Sequence, residues 1–264
     1  MIGLIGFGRF GRLTARYLAC DLDVYVYNRS GKENAIAAVG AVAADLKTVC
    51  AQPLVVLCVP ISRMRETLRA IAHRLAPSAV VVDVCSVKTL PVQWMRDILP
   101  TEVSILATHP MFGPDSAADS LVEKKIVLCP TRISQKRYAC IRDYLAGKGL
   151  VLMETTPEAH DRQIAITLAL THFIGRSLSK FGAPALDIDT EGYKRLRHIL
   201  GVVENDSWEL FQDMHGYNPF AAQTRRAFVS AMSDIEAELT QNENAPAKRA
   251  GALPSVSPII TDTD

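Results

Sequence analysis

The chain has 264 residues, of which 48% are hydrophobic and 22% charged, enough for one large packed domain or two. Its formal net charge of +1 and the lack of any apolar run near 18 residues argue against nucleic-acid and membrane partners. Six cysteines form no CxxC pair and no Cys/His metal spacing, so we predict no metal site and a reducing, cytoplasmic location.

The first 155 residues alternate short β-branched runs with amphipathic segments. This alternation predicts a mainly parallel sheet with helices on both faces. The predicted fold class is therefore α/β, with an N-terminal Rossmann-type dinucleotide-binding domain over residues 1–155. We predict helices at 10–20, 63–75 and 134–147, and strands at 2–5, 24–27, 54–59, 80–84, 105–108, 126–129 and 150–153.

Residues 156–240 have helical periodicity and no clear strand pattern, which predicts a C-terminal all-helical domain. Thr156 and Pro157 are typical of a helix cap and a first helical residue. Asp206 precedes another amphipathic segment and is predicted to be its N-cap. Residues 241–264 are polar and without periodicity, so we predict a disordered tail there.

The GxGxxG fingerprint of dinucleotide sites lies between the first predicted strand and the first predicted helix. Its glycines permit a tight turn, close approach of the backbone to a pyrophosphate, and close packing of helix on strand. The alternative is a glycine turn without a ligand. Together with the end of the 54–59 run, this segment gives the predicted dinucleotide-binding residues Gly6, Phe7, Gly8, Arg9, Phe10, Gly11, Cys58, Val59 and Pro60.

The residues after the second predicted strand indicate which dinucleotide is bound. NAD enzymes usually place an Asp or Glu there, which binds the ribose 2′-hydroxyl. This chain has Asn28, Arg29, Ser30 and Lys32 instead, and such side chains can hold a 2′-phosphate. The sequence therefore predicts NADP. A solvated basic turn is the alternative, but it leaves the missing carboxylate unexplained.

Two polar residues follow neighbouring predicted strands: Ser86 after the 80–84 run and His109 after the 105–108 run. Ligands of open α/β sheets bind at the carboxyl ends of the strands, so both side chains are expected to face the nicotinamide. An imidazole suits proton abstraction near neutral pH, which makes His109 a candidate base for hydride transfer. The alternative is a structural histidine held by the prolines and glycine around it.

These motifs together resemble the arogenate/prephenate dehydrogenase family of tyrosine biosynthesis, most closely its plant-type arogenate dehydrogenases. The resemblance rests on residues 6–11, 83–88 and 108–114, and on 158–161, 171–176, 190–193 and 203–210 in the second domain. It implies oxidative decarboxylation of a cyclohexadienol without a metal. His109 would accept the hydroxyl proton, and Ser86 would bind that hydroxyl and orient His109.

The resemblance also implies substrate contacts from Lys88, His172, Arg176, Thr190 and Asp206. Arg176 lies one turn after His172 and can bind a carboxylate. A carboxylate at Asp206 favours arogenate, because it pairs with the ammonium group and is left unpaired by the keto group of prephenate. A core histidine, a salt bridge and a helix cap remain the alternatives for His172, Arg176 and Thr190. We expect a structural or hinge role for His160 and Asp161.

Three other functions remain open. One is a prephenate dehydrogenase. Another is an enzyme of the 6-phosphogluconate-dehydrogenase-like group, although residues 157–180 lack the interior lysine which that group usually has there. The third is a non-catalytic NADP sensor, which would need no Ser/His pair. The expected partners are a small-molecule substrate and a second copy of the chain, bound through the helical domain.

Overall fold

Eight strands form one sheet within residues 1–244, which are the residues that the computed structural model describes. The sheet order is β3-β2-β1-β4-β5-β6-β7-β8. The strands are β1 (Ile2–Ile5), β2 (Val24–Tyr27), β3 (Val42–Ala43), β4 (Leu54–Leu57), β5 (Val80–Asp83), β6 (Ser104–Pro110), β7 (Lys125–Arg132) and β8 (Val151–Glu154).

The strand order places the topological switch point between β1 and β4. The chain runs from β1 through β2 to β3 at one edge of the sheet and then returns to β4 on the other side of β1. All neighbouring strands are parallel except β6 and β7, which pair antiparallel. In such a sheet the ligand crevice opens at the carboxyl ends of β1 and β4.

Helices cover the sheet and then continue alone in the second half of the chain. A π-helical turn, Ala165–Leu170, separates α7 from α8. The helices are α1 (Arg9–Ala19), α2 (Glu33–Ala37), α3 (Leu46–Cys50), α4 (Ile61–Ile71), α5 (Thr89–Ile98), α6 (Gln135–Gly147), α7 (Pro157–Ile164), α8 (Thr171–Phe181), α9 (Glu191–Glu204), α10 (Trp208–Gly216) and α11 (Ala221–Asn244).

The α/β fold class with a helical C-terminal region is confirmed. All seven predicted strands are present. Strands β1 and β5 are completely buried apolar runs, whereas β8 at the edge of the sheet is mostly exposed. The short strand β3 was not predicted, since its two residues are exposed and give no periodic pattern. A mainly apolar core between the sheet and helices α4 and α5 includes Leu57, Met64, Val81, Met95 and Ile105.

Two predicted helix boundaries are corrected by the structure. Asp206 is not the N-cap of α10, because the Ser207 hydroxyl accepts the capping hydrogen bond from the backbone N–H of Leu210. Helix α11 continues to Asn244, so residues 241–244 are helical rather than part of a disordered tail. The remainder of the predicted tail, 245–264, lies outside the described residues.

The chain divides into two compact units, Met1–Arg225 and the residues from Arg226 onward. The first unit contains the whole sheet and helices α1 to α10. The predicted boundary between an α/β domain, residues 1–155, and a helical domain, residues 156–240, stays a prediction. In the part of the chain that is described, no helix has both the length and the apolar character needed to cross a membrane.

Candidate active site

The glycine loop after β1 packs backbone against backbone with the end of β4. Gly6 has a left-handed φ of +99°, and a Cβ there would lie 2.3 Å from the carbonyl oxygen of Cys58. A Cβ on Gly11 would lie 2.1 Å from the carbonyl oxygen of Gly6. Both positions therefore require glycine, as the dinucleotide fingerprint predicts.

Gly8 borders open space, where a Cβ would meet no atom within 4 Å. Gly8 is also the N-cap of α1, and no side chain caps the free N–H groups of that helix. Open space beside uncapped helix amides suits the pyrophosphate of a dinucleotide. Val59 borders the same loop, with a methyl group 3.2 Å from the position of a Cβ on Gly6, and Pro60 follows as the N-cap of α4.

The loop after β2 is tied to the glycine loop by hydrogen bonds. The Asn28 side-chain oxygen accepts from the backbone N–H of Phe7 at 3.0 Å, and its amide donates to the Ser30 hydroxyl at 2.9 Å. The Lys32 ammonium donates to the carbonyl of Phe7 at 3.1 Å. The predicted pyrophosphate and 2′-phosphate residues thus belong to one connected surface.

A cavity of about 400 Å³ lies beside this loop, and Asn28, Arg29 and Lys32 line it. The carboxylates of Glu33 and Asp45 also line it, although the residues directly after β2 include no acid. Asp45 caps α3 by accepting from the backbone N–H of Thr48 at 2.7 Å, and this bond lowers the pKa of the carboxyl. The cavity therefore offers both basic and acidic groups to a ribose.

Arg9 and Phe10, predicted to bind the dinucleotide, contact residues from distant parts of the chain. The Arg9 guanidinium donates to the Asp115 carboxylate at 2.6 Å and to the carbonyl of Asn205 at 2.8 Å. The ring of Phe10 lies 6.2 Å from that of Phe112, centroid to centroid. The glycine loop is thereby joined to the segment after His109 and to the end of α9.

His109 lies inside β6 rather than after it, because the antiparallel pairing with β7 extends the strand to Pro110. The ring is buried. Ser86 follows β5 as predicted, and its hydroxyl oxygen is buried without a hydrogen-bond partner among the described residues. Among the described residues, Ser86 therefore makes no side-chain hydrogen bond to His109, and its predicted role at the substrate hydroxyl stays a prediction.

A different pair of residues holds His109. Its Nδ1 lies 2.8 Å from Nε2 of His160, and Nδ1 of His160 lies 2.8 Å from Oδ1 of Asp161. The carboxylate of Asp161 also accepts from the backbone N–H groups of Lys88 at 2.7 Å and Thr89 at 2.8 Å. Sequence reasoning placed His160 and Asp161 outside catalysis, since nothing in a linear pattern pairs residues 51 positions apart.

Burial and neighbouring charges shift the acidity of these three groups. Burial, with His160 and the Lys88 ammonium nearby, lowers the pKa of His109 well below its ordinary value of 6.5. Burial also lowers the pKa of His160. Burial alone would raise the pKa of Asp161, but hydrogen bonds from His160 and Thr89 outweigh it and lower the pKa. At neutral pH the site contains two neutral imidazoles and one carboxylate.

The prediction that Lys88 contacts the substrate is wrong. Its side chain is completely buried, and its ammonium pairs with Asp83 and donates to the carbonyl of Thr108. Asp83 accepts a further bond from the backbone N–H of Cys85 at 2.9 Å. Because Lys88 also donates its backbone N–H to Asp161, it joins β5, β6 and α7 directly behind His109.

Three predicted substrate residues of the helical region are brought together. The Arg176 guanidinium donates to the backbone carbonyl of Asp206, and Nε2 of His172 lies 3.7 Å from the Asp206 carboxylate. Within the described chain, Nδ1 of His172 and Nε of Arg176 are buried without a partner. Thr190 is exposed, and its hydroxyl caps α9 by accepting from the backbone N–H of Tyr193.

Aromatic residues next to this group were not predicted. The ring of His215 lies 6.3 Å from that of Phe173 and 4.7 Å from that of Phe211, centroid to centroid. Burial, together with Arg225 and His172, lowers the pKa of His215 to about 4. Their helical spacing resembles that of any buried helix face, so the sequence carried no signal for a site.

Comparison with known proteins identifies the family. The model described as "Prephenate dehydrogenase, nucleotide-binding domain" matches residues 15–154. The chain belongs to the arogenate/prephenate dehydrogenase family. This membership decides against the alternative of a 6-phosphogluconate-dehydrogenase-like enzyme. A second model, described as "TYRAAT1-like, C-terminal domain", matches residues 177–250.

Two plant members of this family are similar over most of the chain. Arogenate dehydrogenase 2, chloroplastic, of Arabidopsis thaliana is 32% identical over 248 residues, covering 90% of this chain and 69% of the relative. Arogenate dehydrogenase 1, chloroplastic, of the same plant is 30% identical over 248 residues. That match covers 90% of this chain but only 39% of the longer relative.

Solved structures show the same fold. The arogenate dehydrogenase of Synechocystis is 22% identical, with a TM-score of 0.68 and coverage of 92% of this chain and 93% of that one. The prephenate dehydrogenase of A. aeolicus, in complex with hydroxyphenyl propionate and NAD+, is 20% identical, with a TM-score of 0.71. Coverage is 92% of this chain and 91% of that one.

The buried ion pair behind His109 gives a stability prediction. Lys88→Met should lower the free energy of unfolding by about 3–5 kcal/mol, because it leaves the Asp83 charge buried and uncompensated. The control is Lys148→Met, which breaks the partly exposed pair with Asp21 and should lower the free energy of unfolding much less. Urea unfolding of both variants measures the difference. Equal losses of unfolding free energy in the two variants would contradict the prediction that burial makes the Lys88–Asp83 pair costly to break.

Proposed function

We propose that this protein is an NADP-dependent arogenate dehydrogenase that converts L-arogenate to L-tyrosine by oxidative decarboxylation. The observation that carries the proposal is the buried, neutral His109 in the sheet whose first strand leads into the glycine loop. At the end of the neighbouring strand, the Ser86 hydroxyl has no hydrogen-bond partner among the residues that are described. The family shown above has members named for this reaction. The second candidate is a prephenate dehydrogenase, which the name of the matching family model favours.

In the proposed reaction His109 takes the proton of the ring hydroxyl. Its lowered pKa keeps the ring neutral at pH 7, so it is able to accept that proton. Ser86 donates to or accepts from the same hydroxyl and holds it in position. NADP+, held by the glycine loop around Gly8 and by Arg29, would supply the acceptor for the hydride of the hydroxyl-bearing carbon. Loss of the ring carboxylate as CO₂ gives the phenol, and aromaticity drives this step, so the protein mainly aligns the groups.

Formation of reduced cofactor tests this function. Purified protein should reduce NADP+ with arogenate faster than any other pairing of arogenate or prephenate with NADP+ or NAD+. His109→Ala should lower kcat by at least about 100-fold, because a positioned base contributes that much, while NADP+ binding persists. Turnover of His109→Ala at the wild-type rate would contradict the mechanism. Absence of turnover with every pairing would contradict the proposed function.

NADP is proposed as the cofactor because Arg29, Ser30 and Lys32 lie together beside the cavity that follows β2. Arg29 is exposed at the cavity and is suited to binding a 2′-phosphate. Arg29→Ala should raise the KM for NADP+ about tenfold or more and leave the KM for NAD+ unchanged. The matched control is Arg74→Ala, which replaces an exposed arginine in the turn after α4. Equal effects on both cofactors would contradict the assignment.

Arogenate is proposed as the substrate because Asp206 carries a partly exposed carboxylate beside His172 and Arg176. Asp206→Asn removes the charge but keeps the backbone carbonyl to which Arg176 donates. The variant should raise the KM for arogenate about tenfold or more without raising that for prephenate, since only arogenate has an ammonium group. Steady-state kinetics with both substrates measures this. Parallel losses for both would assign Asp206 a structural role.

A homodimer is proposed from the surface of α11. Val229, Met232, Ile235 and Leu239 recur at intervals of three and four residues on this helix, and all four are exposed. A continuous apolar stripe on one face of a helix is typical of a surface that packs against a partner. The cytoplasmic location stays a prediction, and the Arabidopsis relatives are named chloroplastic.

A further inference from the structure

We propose that His160 and Asp161 set the tautomer of His109, so that Nδ1 carries the hydrogen and Nε2 is the base. The two residues are positioning residues, since they act on the substrate only through His109. The inference deepens the proposed function, because it names the atom of His109 that receives the hydroxyl proton. It rests on a chain of hydrogen bonds in which the direction of each bond is fixed by the one before it.

The chain begins at the carboxylate of Asp161. Backbone N–H groups only donate, so the bonds from Lys88 at 2.7 Å and Thr89 at 2.8 Å make acceptors of both carboxylate oxygens. An ionised carboxylate has no hydrogen to give. Nδ1 of His160, 2.8 Å from the same carboxylate, must therefore be the donor. The start of α5 thus decides where the hydrogen of His160 lies.

The hydrogen position on His160 then decides which atom donates in the hydrogen bond between His160 and His109. A neutral imidazole has one N–H and one bare nitrogen, so with Nδ1 donating, Nε2 of His160 accepts. Burial beside the Lys88 ammonium favours the neutral form of this ring. The atom 2.8 Å away, Nδ1 of His109, must donate to it. His109 is neutral as well, so its lone pair lies on Nε2.

This arrangement serves a base in two ways. The opposite tautomer would present an N–H to the substrate hydroxyl and could not remove its proton. Once His109 has taken the proton, its positive charge is stabilised by the Asp161 carboxylate through the intervening ring of His160. The rings of His109 and His160 also pack edge to face, with centroids 5.1 Å apart, which keeps the bond between them aligned.

Two substitutions at one position test the proposal. His160→Phe keeps an aromatic ring against His109 but removes both hydrogen bonds, and it should lower kcat by about 100-fold or more with little change in KM. His160→Gln keeps one donor and one acceptor, and it should recover at least about tenfold of that loss. A purely structural role predicts instead that kcat follows the melting temperature in both variants. That result would overturn the proposal.

Nitrogen-15 NMR of histidine-labelled protein, without cofactor or substrate, reads the tautomer directly. The proposal predicts that Nδ1 of His109 carries the hydrogen in the wild type. In His160→Phe, we expect the hydrogen of His109 to be shared between Nδ1 and Nε2. A wild-type His109 with its hydrogen on Nε2 would overturn it. The spectrum is independent of turnover, so failure of the proposed function in the kinetic assays and failure of this inference are distinguishable, even if His160→Phe does not fold.

Discussion

The carboxylate of Asp161 is the fixed point on which the rest of the site depends. A buried carboxylate is costly unless hydrogen bonds replace its water, and Asp161 receives them from the backbone of Lys88 and Thr89 and from the ring of His160. These bonds join the start of α5, in the sheet-bearing part of the chain, to α7, the first helix of the helical region. The orientation of the His109 ring is therefore set by the same contacts that hold α7 against α5.

A second buried charge makes the site suitable for base chemistry. Lys88 is neutralised by Asp83, yet its ammonium stays close enough to His109 and His160 to disfavour a further positive charge. Replacing such a pair with apolar residues often leaves a protein equally stable, so stability alone does not account for its presence. A His109 ring that stays neutral accounts for the pair better, because the nearby Lys88 ammonium disfavours protonation of His109 and His160.

Local features of the sequence predicted the sheet and the dinucleotide loop, because apolar runs and glycine spacing report directly on burial and backbone conformation. Ser86 and His109 were found by their position after predicted strands, although pairing with β7 places His109 inside β6. The contacts of Lys88, and those of His160 with His109, were not predicted, since they join residues far apart in sequence. In the sequence, a charged residue next to a motif, such as Lys88, gives the same pattern whether it binds a substrate or a buried protein group.

The pH dependence of kcat/KM for arogenate tests most directly the claim that His109 acts as a neutral, buried base. Because burial and its neighbours lower the pKa of His109 well below 6.5, the neutral form persists as the pH falls. We expect kcat/KM to stay level as the pH falls through 6.5 and to be lost only in more acidic solution. A loss with its midpoint near 6.5, the ordinary value for histidine, would contradict the account.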